Sequence, residues 1–369
     1  MRIDALELLA KQRKPLLVMK GAIWAISFFA LLTGEDQDGG ENFSPMLKAL
    51  TKNRLSVAAF LIMGLTVGLV SPFVWAATGS TRVTIHVPSK SLSIMPYYFG
   101  KDKGFFAVEL VELQLVMMSP PTAIAALVAG ELDFSSTTGA ATSAIMRGLP
   151  LRRYFYVQAE PSHVLLAQPE IKSIQELNGK TIGVTALTDA VGMSTTMILK
   201  SNNIDTSRTT QLAMGVTDNA IKAFTTRKIA ATLLAPPYAE ELEAKGYNKL
   251  AEARAYAPLS FIGLVSSTET VKKSPLKVQA MLAGLYRTMI YIHNPSNRGE
   301  MIQYIARYHS IDLGLAEKAF ATQMQSYSKD GTKPRKAVER EIEIYREILK
   351  ITKTFTPDDL EDMSLLKKV

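Results

Sequence analysis

Side-chain hydroxyls are the chemistry this chain concentrates, and they gather at strand-to-helix junctions. The first junction is Ser135-Ser136-Thr137-Thr138-Gly139, which follows the short strand Leu132-Asp133-Phe134 and precedes a helix predicted over 140–147. The second runs from Thr185 through Leu187-Thr188-Asp189 and Gly192 to Ser194-Thr195, after the strand Thr181-Ile182-Gly183-Val184 and before a helix predicted over 196–201. Hydroxyls beside the free N–H groups of a helix N-terminus suit an anion or a polar ligand, although each could equally be a plain N-cap. A third candidate is Tyr238, which follows Ala235-Pro236-Pro237 and offers a ring and a hydroxyl, or else packs in the first turn of a helix. Two polar junctions on separate α/β units could close on one small ligand, in the crevice outside the carboxyl ends of the strands.

Other chemistries have less support. The chain has no cysteine and no Gly-x-Ser-x-Gly elbow, so neither a thiol nor a hydrolase-type serine nucleophile is indicated. Its four histidines, His86, His163, His293 and His309, are dispersed without metal-ligand spacing and read as packed or surface imidazoles. No catalytic residue, metal or cofactor is therefore expected. The formal net charge of +8 comes without a Lys/Arg block or basic-aromatic interleaving. That argues for solubility and against nucleic acid as a partner.

The elements that must position these junctions alternate. Val83-Thr84-Ile85-His86-Val87 and Val111-Glu112-Leu113-Gln114-Leu115-Val116 read as strands, separated by a short aromatic helix over Pro96 to Phe106. Pro121 to Val128 reads as a helix ended by Gly130, and further strand-helix pairs run to Leu234. Helices between strands imply a parallel α/β sheet, and 369 residues imply about two domains. Beyond Val265 the pattern is helical, with periodic apolar positions over 278–292, 301–308 and 342–351.

An export signal is expected over 46–76. Lys48, Lys52 and Arg54 form a basic start, Leu55 to Val70 an apolar run, and Val74-Trp75-Ala76 a small-residue cleavage site. An uncut membrane anchor is the alternative, because the run approaches the ~20 residues that span a bilayer. Residues 1–45 read as an upstream extension outside the native protein, or as a further hydrophobic segment over 15–32. Without cysteine there is no lipid-attachment site and no disulfide, so a large core must carry the stability of an exported, periplasmic chain.

The order of segments resembles the type II periplasmic binding proteins of ABC importers, in the nitrate, sulfonate, taurine and thiamine-precursor branch. The matching motifs are Pro96 to Phe106, Ala126-Leu127-Val128-Ala129-Gly130-Glu131-Leu132-Asp133-Phe134, Gly148-Leu149-Pro150-Leu151, and Ile174 to Val184. The resemblance implies an α/β fold of two lobes joined by two crossover strands, with ligand in the cleft. Lobe I would be 77–162 plus 260–369, and lobe II 163–259. It also implies a monomer that delivers a small-molecule solute to the transmembrane subunits of a permease and its cytoplasmic ATPase.

Carried over onto this sequence, the resemblance makes Ser89-Lys90-Ser91-Leu92-Ser93 the first ligand-facing loop, with Ser89, Lys90, Ser91 and Ser93 as candidates. Ser135, Ser136 and Thr137 stand where donors follow the next pocket strand. Thr185, Thr188, Asp189, Ser194 and Thr195 occupy the second-lobe junction, and Tyr238 follows the proline pair. Many members have glycine at the start of that second turn, whereas here it is delayed to Gly192. A hydroxyl-rich lining suggests a small polar or anionic solute, with a sulfonate as first expectation. Should Asp189 face the pocket, an amine-bearing or pyrimidine solute fits better. Lys90 reads as a pocket cation or a solvated surface charge. A membrane-tethered sensor and an enzyme remain alternatives, the latter disfavoured because the related iron-requiring enzyme of this branch contains cysteine.

Overall fold

The computed structural model describes residues 80–369. The expected export signal and the segment before it lie outside the described residues. The chain opens on β1 (Thr81–Val87), whose Val83 and Ile85 are fully buried while Thr81 and Arg82 face solvent. Helix α1 (Met95–Asp102) leads on to β2 (Val111–Met117), which pairs in parallel with β1 from Thr81↔Val111 to Val87↔Met117. Helix α2 (Pro120–Ala129) has proline in its first turn and ends on Gly130 at φ 77°, where the lack of a Cβ makes the left-handed stop easy. Strand β3 (Phe134–Thr137) then runs directly into α3 (Thr138–Met146), and β4 (Leu151–Gln158) follows.

The next strands build a second sheet. These are β5 (Val164–Ala167), β6 (Thr181–Val184), β7 (Thr210–Ala213), β8 (Ala231–Leu234) and β9 (Asn248–Glu252). Between them lie α4 (Ala190–Ser201), α5 (Thr217–Thr225) and α6 (Tyr238–Ala244). The chain then returns as β10 (Ile262–Ser267) to the first sheet and finishes in helices. These are α7 (Thr268–Lys273), α8 (Pro275–His293), α9 (Arg298–His309), α10 (Leu313–Met324), α11 (Arg335–Leu349) and α12 (Pro357–Leu360).

Both sheets have five strands, ordered β2-β1-β3-β10-β4 and β7-β6-β8-β5-β9. In each, the odd strand is the one that has arrived from the other sheet. Strand β10 is antiparallel to both β3 and β4, and β5 is antiparallel to both β8 and β9. The fold is thus α/β with two lobes, linked by residues 159–163 and 253–261. No helix among the described residues is long and apolar enough to cross a membrane.

The aromatic segment after β1 is scaffold. Tyr97 and Phe99 are fully buried, and Phe106 nearly so. The Tyr97 hydroxyl donates to the Gly263 carbonyl on β10, and Phe99 stands edge-on to Tyr304 of α9 at 4.9 Å between ring centres. Apolar rings in such contacts hold α1 on the sheet and leave the loop before it, Pro88 to Ser91, free to line the cleft.

Candidate functional site

The carboxyl ends of the strands in both sheets face one another across a small cavity of about 40 Å³. From the first lobe come Ser89, Ser91 and Ser93 after β1, with Thr137 at the end of β3. From the second come Thr185 after β6, Asp189 at the head of α4, and Thr217 at the start of α5. The two connecting segments contribute one ring each, His163 and Phe261.

The first-lobe hydroxyls mostly engage each other. Ser89 Oγ and Ser91 Oγ are 2.9 Å apart, and Thr137 Oγ1 is 3.1 Å from Ser135 Oγ. The Ser93 hydroxyl is buried without a partner. In the second lobe Asp189 is 4% exposed and caps α4, its Oδ1 accepting from Gly192 N at 2.9 Å and its Oδ2 from the Thr185 hydroxyl. Burial pushes its carboxyl up to about 6, against the pull of those hydrogen bonds. No lysine or arginine is among the residues around the cavity.

His163 is the other buried titratable group at the cavity. Desolvation lowers its imidazole to about 3, so the ring is neutral at pH 7. Its Nδ1 is buried and has no hydrogen-bond partner, and the ring lies 4.2 Å from that of Phe261 at 30° between planes.

Glycine lets the two junctions meet. A Cβ on Gly139, in the first turn of α3, would stand 2.4 Å from Ala190 N and 2.7 Å from Ala190 Cβ, at the head of α4. The lobes also touch where Leu92 N donates to Pro236 O at 2.8 Å and where Ser143 Oγ donates to Thr188 O. At Gly192 a Cβ would lie 2.2 Å from Ala186 O, so the delayed glycine is what allows the Asp189 turn to curl under its own helix.

The structure brings together Ser89, Ser91, Ser93, Thr137, Thr185 and Asp189 of the expected set. The others stand away from the cavity for identifiable reasons. Ser135 is committed to His86, whose Nε2 faces the Met118 carbonyl at 3.0 Å and so carries the proton, leaving Nδ1 to accept from Ser135 Oγ at 2.8 Å. Ser136 falls between Ser135 and Thr137 on a strand and so points to the opposite face. Helix α4 begins at Ala190, six residues before the predicted start, because Asp189 caps it. Ser194 and Thr195 therefore sit inside the helix, where Thr195 Oγ1 donates to Val191 O at 2.8 Å. Thr188 is half-buried and gives its carbonyl to Ser143. Lys90 is exposed, and Tyr238 packs edge-on against His309 at 6.1 Å between ring centres.

Sequence reasoning missed His163, Thr217 and Phe261. None belongs to a hydroxyl-rich junction of the kind that drew attention. His163 and Phe261 lie in the connections between lobes, where no periodicity marks which side faces a cleft. Among the described residues no group of three or more His, Cys, Asp or Glu could hold a metal ion.

A family model described as NMT1/THI5 like matches residues 91–297, more than half of the chain. No curated protein matches. Solved structures share the fold at low identity. A protein from Bordetella bronchiseptica RB50 is 19% identical with a TM-score of 0.66, covering 79% of this chain and 97% of that one. The ligand-binding component of an ABC-type import system from Staphylococcus aureus, with zinc bound, is 17% identical with a TM-score of 0.64, covering 78% and 98%. The alkanesulfonate-binding protein SsuA from Xanthomonas axonopodis pv. citri, bound to MOPS, is 16% identical with a TM-score of 0.60, covering 78% and 96%.

Proposed function

Because the chain belongs to the NMT1/THI5-like family, we propose that it is the solute-binding component of an ABC importer, catching a small polar molecule between its lobes. The observation that carries this reading is the cavity itself, which draws polar groups from both lobes and a ring from each connection. Its structural relatives include an import-system component and a sulfonate-binding protein, which fits the same role. Lobe I is then 77–162 with 260–369, and lobe II 163–259. The chain would leave its signal over 46–76 behind, work in the periplasm as a monomer, and hand its solute to permease subunits driven by a cytoplasmic ATPase.

The lining favours a neutral or amine-bearing solute, a pyrimidine among them, over the sulfonate first expected. Asp189 puts an acceptor in the cleft with no cation beside it, and a sulfonate would bring a second negative charge to a desolvated site. The closed cavity is small. At roughly 10–15 Å³ per water it has room for about three waters, so a larger solute requires the lobes to part further. Solute that contacts both lobes favours the closed arrangement only by its differential affinity for it.

A thermal-shift panel tests this, since bound solute raises stability by mass action. Cytosine and benzamidine should raise Tm more than taurine, methanesulfonate or nitrate, and small-angle scattering should show compaction with the binder. Stabilisation by sulfonates alone would overturn the assignment of solute class, and absence of compaction would count against lobe closure.

A further inference from the structure

The two segments that join the lobes meet inside the cleft. His163 closes the first connection, and its carbonyl accepts at 2.9 Å from Ala253 N, where the second connection leaves β9 of the second lobe. Phe261 closes the second, and its carbonyl accepts from Thr138 N of the first lobe at 3.1 Å. Each ring is therefore tied through its own backbone to a different lobe, and the rings stack on one another at 4.2 Å. Both also line the cavity.

Within this pair the imidazole is the anomaly. Phe261 needs no polar partner, whereas His163 is 91% buried with Nδ1 bonded to nothing in the protein. Buried polar atoms are ordinarily satisfied, and an exception calls for an explanation such as strain or a water, ion or ligand that the protein does not itself supply. Nδ1 has almost no accessible surface here, so a solute reaches it only as the lobes part. A neutral imidazole carries one N–H donor and one acceptor nitrogen, so it can take either end of a polar solute group.

Building on the solute-binding reading, we propose that His163 is a specificity-determining residue of the cleft. Its imidazole makes a hydrogen bond to the bound solute from the point where the two connections stack. Asp189 accepts from an N–H of the solute on one side, and His163 supplies the complementary contact at the floor. Because the His163 backbone belongs to one lobe and its stacking partner Phe261 to the other, a solute held there also braces the hinge. The class of solute that fits is a small molecule with an N–H group and a second hydrogen-bonding atom a few ångströms away.

Two variants separate this from a packing role. Phenylalanine at 163 keeps the ring stack and removes only the nitrogens, so His163→Phe should melt at or above the wild-type temperature, having lost an unsatisfied buried atom. A clear drop in Tm would show that the protein itself uses the nitrogen, and would overturn the proposal without any ligand present. In calorimetry with cytosine and benzamidine, His163→Phe should lose roughly tenfold or more in affinity, the loss expected when one buried hydrogen bond is left unmade. His163→Gln, which keeps a donor and an acceptor, should recover part of it. Unchanged affinity in His163→Phe would defeat the proposal even though the binding reading stood. If wild type binds methanesulfonate instead of either nitrogenous probe, the solute class fails, and the response of methanesulfonate affinity to His163→Phe still decides the role of the imidazole.

Discussion

Two buried carboxylates, Asp189 and Glu341, face opposite fates a short distance apart in the fold. Glu341, on α11, is fully buried, and the protein supplies all its partners. Arg153 Nη1 donates to its Oε1 at 2.7 Å, Lys333 Nζ to its Oε2 at 2.8 Å, and Ser260 Oγ to its Oε1 at 2.8 Å. Burial alone would raise its carboxyl, but the Lys333 and Arg153 cations outweigh that and hold it below its ordinary value. Asp189 has neutral donors only, and burial leaves it raised. The contrast is one of compensation: Glu341 pins the second connection through Ser260 with two cations to balance its charge, whereas Asp189 stands at the cavity with neutral donors alone.

The largest break in this comparison is Glu341→Gln. Removing one member of a buried charge network strands the other, so a loss of about 3–5 kcal/mol is expected in urea unfolding at pH 7. The wild-type contribution should be present above pH 4.5 and fade as pH falls through the lowered native value. A loss within experimental error would show that Arg153 and Lys333 find other partners.

Asp189→Asn should move stability the opposite way. Between about pH 4 and 6 the folded protein holds a proton on Asp189 that the unfolded chain has released, so stability falls as pH rises through that window. The amide removes this penalty, and a gain on the order of 2–3 kcal/mol is expected at pH 7, vanishing by pH 4. The same variant should lose affinity for cytosine. Destabilisation at pH 7 would mean that the carboxylate is already compensated.

Gly139→Ala tests the contact between lobes. With Ala190 N at 2.4 Å from the new Cβ, the lobes cannot approach as they do here without a shift of backbone. Overpacking of 1–3 kcal/mol on the closed form should weaken solute binding roughly 5- to 150-fold, with scattering showing less compaction. Normal closure would show that the interface gives way easily. The smallest effect is expected from Arg335→Ala, whose bidentate contacts to Asp358 at 3.0 and 3.1 Å lie on the open surface. No measurable change in unfolding midpoint is expected there, since exposed pairs contribute little.

The legible parts of the site were those with local signatures. Thr137 ends a strand, Thr185 directly follows one, and Asp189 caps a helix, so chain order alone placed them at the rim. The alternation Val83 to Val87 and the glycine stop at Gly130 likewise follow from rules spanning a few residues. Ser194 and Thr195 were misplaced because an N-cap six residues earlier set the helix start. Ser135 was misread because its hydroxyl is claimed by His86, 49 residues away in sequence.

Short-range pattern, then, determined the two-lobed α/β architecture and a cleft at the carboxyl ends of the strands, since strand alternation, caps and segment order are local properties. Only the tertiary structure decided which groups line the cavity. It turned Asp189 inward without a cation, stacked His163 on Phe261 where two distant connections meet, and set Gly139 against Ala190. Each of these depends on residues 50 or more apart being brought into contact, and their energetics come from burial, which no spacing along a chain encodes.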